Sequence, residues 1–336
     1  MIPVRFRTPR LWPAAVFAAF FAVAMAATVV AVDRVPVLRE AAGRFLTAEA
    51  PADDDYYLAT DAGTTLDHHV LYFDLDGEAA ARLRAAEVLF VGNSRLMFGL
   101  RPDVLRPAFA ARGQSYYALG FGFREADRFP LALIRKLDLR PRVVVVNSDG
   151  FFTDTMSEFA ETVVRDTPFG ARKLRWEGET AHAVRRVVHA VAPNWLQLFG
   201  RPGLSLLGVF NLYRSRFDGT WEVAPWPTTT TTFPPPPLNG SEPGRDEIAA
   251  ARAFKAELDQ RGSRLVLTRV PSPAITAGAG PITFARLLDV PLVVAEPPGM
   301  TSADNSHLDQ PSAHDWSRAF LTALMPHLGP VGRPGR

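Results

Sequence analysis

The chain has 336 residues, enough for one large α/β domain or two small ones that each bury a core. It contains no cysteine, which excludes disulfides, thiol redox chemistry and cysteine-ligated metal sites. The 37 Lys and Arg against 35 Asp and Glu leave a net charge of +2 with both signs interspersed, so the sequence lacks the basic footprint of a nucleic-acid-binding protein.

The first predicted element is an apolar helix over residues 11–32, which contain no charged side chain. It is long enough to cross roughly 30 Å of hydrocarbon and to contact membrane lipid. Three arginines precede it and an aspartate follows it, so the positive-inside rule predicts a single-pass membrane protein with residues 1–10 in the cytoplasm and an extracytoplasmic main domain. The alternatives are a signal peptide cleaved near residues 24–26 and a buried core helix.

Residues 33–83 combine short helical periodicity with acidic patches and are predicted to form a stalk. From there to residue 330, apolar strands alternate with amphipathic helices, which predicts βαβ units and an α/β fold with a mostly parallel sheet. The predicted strands cover residues 87–91, 115–118, 143–146, 264–270 and 292–295, and the predicted helices cover residues 102–112, 125–137, 246–261 and 313–328.

Two segments interrupt this alternation. Residues 151–213 are predicted to be a helical insertion or cap over the sheet. Residues 223–243 are rich in proline and threonine, favour extended polyproline II and predict a mobile loop or semi-rigid spacer. For the adjacent pair His68 and His69 we expect a structural or surface role, because neighbouring side chains point apart and no carboxylate-rich spacing accompanies them. No glycine-rich nucleotide pattern follows a strand, and neither a cofactor nor a metal is predicted.

Ser94 follows the first apolar strand directly, in the segment Gly-Asn-Ser-Arg at residues 92–95. In α/β folds the carboxyl ends of strands open into the ligand crevice, and a helix that begins there supplies N–H groups and a positive dipole end. A serine at that point can act as a nucleophile and, through its own N–H, as part of an oxyanion hole. The alternative is an ordinary helix N-cap.

Asp304 and His307 lie on one predicted loop between the last strand and the C-terminal helix. An aspartate and a histidine three residues apart can converge on one serine. His307 would then take the hydroxyl proton as a general base, and Asp304 would fix the imidazole tautomer and stabilise the imidazolium. The alternatives are a helix N-cap for Asp304 and a surface loop position for His307.

Taken together, these segments resemble the SGNH/GDSL hydrolase superfamily, and more closely its membrane-anchored branch of DltD-like and alginate O-acetylation proteins. Residues 88–95 (VLFVGNSR) look like the nucleophile block, residues 116–122 (YYALGFG) look like the second block, and residues 304–308 (DNSHL) match the D-x-x-H block. The resemblance covers residues 87–328. It implies a three-layer, doubly wound, flavodoxin-like fold with Ser94, Asp304 and His307 as the catalytic residues.

The resemblance also implies an oxyanion hole. Its donors are the N–H of Ser94, a glycine N–H from the second block and an asparagine amide from a third block. The second-block glycine is Gly122, with Gly120 as the alternative and as a candidate substrate contact. In the third block Asn147 is the candidate donor, but Asp149 aligns comparably well, and an ionised carboxylate there would repel a developing oxyanion.

The activity that the resemblance implies is that of a serine esterase or O-acyltransferase acting on acyl groups of a cell-envelope glycan or polysaccharide, with a membrane-bound acyltransferase as a further partner. The two reactions differ only in whether water or a sugar hydroxyl deacylates Ser94. Arg95 is expected either to meet an anionic group of the substrate or to pair with an acidic neighbour. The competing hypothesis is a non-catalytic envelope protein of the same fold that binds a glycan or a membrane acyltransferase.

Overall fold

The computed structural model describes residues 55–61, 64–122, 125–191, 211–224, 231–234, 238, 241–273 and 280–329. These residues belong to a main unit of residues 51–180 and 209–336, except for residues 181–191, which are the end of a long helix and belong to a second unit. None of the described helices has the length and apolar character needed to cross a bilayer, and the anchor predicted at residues 11–32 lies outside the described part of the chain.

The described strands, in chain order, are β1 (Tyr56–Asp61), β2 (Thr64–Thr65), β3 (Val88–Gly92), β4 (Tyr116–Gly120), β5 (Val143–Asn147), β6 (Asn211–Ser215), β7 (Trp221–Ala224), β8 (Thr231–Thr232), β9 (Arg264–Arg269), β10 (Leu292–Val294) and β11 (Thr301–Ser302). The described helices are α1 (Asp67–Tyr72), α2 (Gly77–Arg84), α3 (Ser94–Gly99), α4 (Pro102–Ala111), α5 (Arg128–Lys136), α6 (Glu158–Arg165), α7 (Pro168–Val191), α8 (Arg245–Gln260), α9 (Pro281–Leu288) and α10 (Gln310–Leu324), which continues as a 3₁₀ turn, Met325–Leu328.

The α/β class and the mostly parallel sheet are confirmed. Five strands lie in the order β10-β9-β5-β3-β4, and every neighbouring pair is parallel. Numbered along the chain within this sheet, the order is 2-1-3-4-5, so the winding reverses between β3 and β5. The central strands are short, rich in β-branched residues and buried at every position, as expected of a sheet covered on both faces.

Helices cover both faces of this sheet, because successive side chains of a strand point to opposite sides. Val88 and Phe90 of β3 contribute to one apolar cluster, together with residues of α3, α4 and α10. Leu89 and Val91 contribute to the other, together with residues of α2, α5, α6, α8 and α9. The sheet is therefore the middle of three layers.

The stalk prediction needs correction for its described part. Residues 55–61 and 64–83 fold within the main unit as β1, β2, α1 and most of α2. They join a second, antiparallel sheet in the order β2-β1-β6-β7, in which β1 pairs with β6. Polar residues of α1 are buried there, so the acidic patches that suggested a stalk precede a packed segment.

The two predicted interruptions also differ from the expectation where the structure describes them. Strand β6 occupies the end of the predicted helical insertion, whose remainder contains α6 and α7. Within the proline- and threonine-rich segment, β8 pairs with β11, and Phe233 is buried. That contact fixes part of the predicted mobile loop beside the segment that carries Asp304.

A buried arginine with its counter-ion joins the two sheets. The guanidinium of Arg214, on β6, is fully buried and binds Asp67, with Nη2 2.7 Å from Oδ2 and Nε 2.9 Å from Oδ1. It also donates to the carbonyl oxygens of Ala118 and Gly120 on β4 and of Gly219. Because β4 is the edge strand of the parallel sheet, these bonds satisfy carbonyls that no neighbouring strand of that sheet reaches.

Replacing Asp67 with alanine should lower the free energy of unfolding by about 3–5 kcal/mol, because the charge of Arg214 would stay buried without its counter-ion. The matched control is Glu161→Ala, whose carboxylate pairs with Arg165 at the surface and should cost at most about 1 kcal/mol. Urea unfolding followed by circular dichroism gives both values. Equal losses for the two variants would contradict the structural role of the buried pair.

Candidate active site

The turn that carries Ser94 is set by the register of the parallel sheet. Gly92 at the end of β3 is paired with Gly120 of β4, and on the other side Val91 is paired with Val146 of β5. A Cβ at Gly92 would lie 2.9 Å from the Cβ of Asn147, so the strand can end here only as glycine. The chain then turns into α3 at the carboxyl edge of the sheet.

Asn93 is the N-cap of α3, because its side-chain Oδ1 accepts the N–H of Arg95 at 3.1 Å. Ser94 is therefore the first residue of the helix and not its cap. Ser94 N–H has no acceptor among the described residues, as the geometry of a first helical turn requires. The N-cap of this helix is thus the neighbouring Asn93, and not the serine.

Ser94, His307 and Asp304 form a continuous hydrogen-bonded chain. His307 Nε2 lies 2.8 Å from Ser94 Oγ, and His307 Nδ1 lies 2.7 Å from Asp304 Oδ2. Both distances are within the range of a proton-transfer contact. The histidine can accept the serine proton at Nε2 while the aspartate holds the proton on Nδ1, which is the arrangement of an activated serine nucleophile.

The loop that bears His307 is fixed by its own hydrogen bonds. Asp304 Oδ1 accepts the N–H groups of Ser306 and His307 at 2.9 and 2.7 Å. The carbonyl oxygen of His307 accepts the N–H of Ala303 at 2.9 Å and the hydroxyl of Ser302 at 2.8 Å. Asp304 thus turns the loop with one carboxylate oxygen and orients the imidazole with the other.

Burial disfavours the charged form of Asp304, but the hydrogen bonds from the His307 ring and from the two backbone N–H groups outweigh it. They lower the pKa of Asp304 to about 2. The carboxylate therefore remains ionised at any pH at which the histidine could act as a base.

Phe98 was not singled out by the sequence. Its ring stacks on the imidazole of His307, with centroids 4.3 Å apart and planes inclined by 27°. It lies four residues after Ser94 on α3, the spacing that places two side chains on one face of a helix. That spacing is the sequence signal that could have identified Phe98. Helix α3 therefore supplies both the serine and an aromatic ring that packs against the histidine.

Two backbone N–H groups, those of Ser94 and Gly122, are the candidate donors of an oxyanion hole. The N–H of Gly122 has no acceptor among the described residues, as is the case for the N–H of Ser94. Gly122 follows β4 by two residues, as Ser94 follows β3, and the N–H of Phe121 donates to the carbonyl oxygen of Gly92 at 3.1 Å. The alternative, Gly120, has a packing role, because a Cβ there would lie 2.6 Å from the Met97 side chain.

Asn147 does not open into the crevice. It is completely buried, and its Nδ2 donates to Asn93 Oδ1 at 3.0 Å while its Oδ1 accepts the N–H of Val270 at 3.2 Å. Its amide therefore holds Asn93 in place, and Asn93 in turn caps the helix of the nucleophile. Asn147, which was predicted to be the third oxyanion donor, instead contacts and positions Asn93, the residue before Ser94.

Asp149, the other third-block residue, lies against the nucleophile turn. Its carboxylate forms an ion pair with Arg95, and its carbonyl oxygen accepts Asn93 Nδ2 at 3.2 Å. Both charged side chains are mostly buried, at 19% exposed for Arg95 and 13% for Asp149. Arg95 thus pairs with an acidic neighbour, which is one of the two roles expected for it.

The remaining candidates lie away from this constellation or serve it indirectly. His68 Nε2 is 3.1 Å from Glu125 Oε2, both side chains are buried, and Glu125 also accepts the Ser157 N–H at 3.1 Å. His69 Nε2 lies 3.2 Å from Asp166 Oδ2. The contacts of both histidines are therefore structural, and the His68 ring packs against Phe121 and Phe129.

No family model matches the chain, and the curated proteins contain no significant match. The class that the fold and the site define is thus an α/β protein with a parallel sheet and a hydrogen-bonded serine, histidine and aspartate at the carboxyl edge of that sheet.

Replacing Asp304 with asparagine should slow the labelling of Ser94 by a fluorophosphonate by about 10³- to 10⁴-fold, because an amide can neither hold the required tautomer of His307 nor stabilise the positive charge that the imidazole gains with the serine proton. The pKa of Asp304 is lowered to about 2, so the wild-type carboxylate carries its charge at every pH of an ordinary labelling assay. Labelling rates of the two proteins at neutral pH give the comparison. An Asp304→Asn variant that reacts at the wild-type rate would contradict the role of this carboxylate.

Proposed function

We propose that the chain is a serine hydrolase or acyltransferase of the SGNH type that acts on ester-linked acyl groups, with Ser94 as the nucleophile. The observation that carries the proposal is the hydrogen-bonded chain from Ser94 Oγ through His307 to Asp304. The strand order 2-1-3-4-5 supports it, because that is a common order of doubly wound sheets of the flavodoxin-like kind. Ligands bind in such sheets where the winding reverses, and Ser94 follows β3 at that point.

In the proposed mechanism His307 takes the proton of the Ser94 hydroxyl as the oxygen attacks the ester carbonyl. The oxyanion of the tetrahedral intermediate accepts the N–H groups of Ser94 and Gly122. His307 then protonates the leaving alcohol, and Ser94 is left acylated. Water or a sugar hydroxyl, deprotonated by His307, attacks the acyl-enzyme and regenerates the serine.

The substrate class in this proposal is an acylated glycan or polysaccharide of the cell envelope. Its support is the resemblance of the three sequence blocks to the membrane-anchored branch of the superfamily, together with the apolar segment at residues 11–32 and its flanking charges. A membrane-bound acyltransferase is the proposed partner, since it would supply the acyl group if the second step is a transfer.

A second function is favoured by one observation. Asn147 is engaged with Asn93, and a carboxylate, Asp149, lies beside the nucleophile turn. One missing oxyanion donor costs about 10² to 10³ in rate. A protein that only binds a glycan or a membrane acyltransferase would tolerate such a loss, so a non-catalytic envelope protein is the alternative.

A fluorophosphonate probe separates the two functions. We expect it to label the full-length protein at one serine, with labelling abolished in Ser94→Ala and reduced by about 10³-fold or more in His307→Ala. Ser306→Ala is the matched control, because it removes a hydroxyl from the same loop while keeping the N–H that Asp304 accepts. Absence of labelling in folded wild-type protein would favour the binding function.

The ion pair beside the serine makes a separate prediction. Arg95→Ala should slow acyl-enzyme formation, because the charge of Asp149 would then face a developing oxyanion without compensation. Asp149→Asn in that background should restore much of the rate, which gives a coupling energy of about 1–3 kcal/mol in a double-mutant cycle. Additive effects of the two substitutions on the labelling rate would show that the pair does not act on the reaction.

A further inference from the structure

A cavity of about 500 Å³ lies at the opposite edge of the parallel sheet from Ser94. Its lining includes Ser115 and Tyr116, where β4 begins, and Ala85, which precedes β3. The volume falls within the range of small-molecule pockets, about 300–1,000 Å³. Phe109, Ala110 and Phe217 make much of its wall apolar.

One polar group in this wall has no partner. Gln114 lines the cavity and is only 5% exposed, yet its Nε2 makes no hydrogen bond with any described residue. Its Oε1 accepts Arg112 Nε at 2.8 Å, so exchanging the two amide atoms would bring two donors together. Buried donors are rarely left unsatisfied, and this one calls for an acceptor from a ligand.

Positive charge lies beside the same cavity. The guanidinium groups of Arg82 and Arg106 lie 4.8 and 6.0 Å from the ring centre of Phe217, which is 48% exposed. Arg106 is balanced by Asp218, with Nε 2.6 Å from Oδ2. Arg82 has no carboxylate partner within the described part of the chain, so its charge is available to a ligand.

We propose that this cavity binds an amphiphilic anion: a short alkyl chain that ends in a carboxylate or a phosphate. The anionic head pairs with Arg82 and accepts the N–H of Gln114 Nε2, which is covered in this structure and turns toward the head on binding. The chain covers the rings of Phe109 and Phe217 and removes them from water. The site is separate from Ser94 and does not depend on its chemistry.

The test uses the full chain carrying Ser94→Ala, so that no turnover at the serine affects the readout. Isothermal titration calorimetry with hexyl phosphate should give a saturable signal, and hexanol, which lacks the charged head, should give none. Arg82→Gln and Gln114→Leu should each weaken hexyl phosphate binding by about tenfold, the effect of one lost charge-assisted hydrogen bond. Arg84→Gln is the matched control, since Arg84 lies on the same helix but pairs with Asp74 at the surface, and it should leave the affinity unchanged.

Equal signals for hexyl phosphate and hexanol, or an affinity that neither Arg82→Gln nor Gln114→Leu changes, would overturn the proposal. A competition arm identifies the source of the anion in the cell. If vesicles of phosphatidylglycerol displace hexyl phosphate, the ligand is a lipid headgroup with part of its chain. If they do not, it is a soluble amphiphile. Because Ser94 is absent throughout, the outcome is independent of the fluorophosphonate result.

Discussion

The site depends on the register that holds β3 between β4 and β5. Parallel pairing of Gly92 with Gly120 and of Val91 with Val146 brings the carboxyl ends of three strands level, so the segments that follow them meet at one edge. Gly92 allows the approach of Asn147 behind the nucleophile turn. A residue with a Cβ at that position would displace the turn, and with it the serine that His307 has to reach.

Arg214 extends this constraint to the edge of the sheet. It contacts the carbonyl oxygens of Ala118 and Gly120, which β4 would otherwise leave unpaired, just before the chain reaches Gly122. Its counter-ion, Asp67, comes from a segment far away in sequence. A fully buried ion pair contributes little net stability, but it has one satisfactory geometry, and that geometry fixes where the candidate oxyanion N–H lies.

The sequence predicted the parts that local pattern controls. The run of four valines in β5 predicted a strand buried on both sides, and the spacing of Asp304 and His307 predicted that these two side chains lie together on one loop. Their contact with Ser94, 213 residues earlier, was expected from the resemblance. The sequence contains no indication of distant polar partners that no motif marks. Asp67 lies in the segment that was predicted to be a stalk, yet Arg214, which neutralises it, lies 147 residues later. The role of Asn147 was equally hidden, because the asparagine that it contacts, Asn93, is set by the register of two strands.

Charge around Ser94 follows from these contacts. Two carboxylates, Asp304 and Asp149, belong to the site, and a negative charge near the serine opposes a developing oxyanion. In the proposed mechanism Asp304 acts through the imidazole, which becomes positive as it accepts the serine proton. Asp149 has no such intermediary, and its charge is met instead by Arg95, which the first turn of α3 places next to the nucleophile. The resemblance implies an oxyanion-stabilising amide from the third block. Asp149 of that block lies beside the serine instead, and Arg95, directly after the serine, balances its charge.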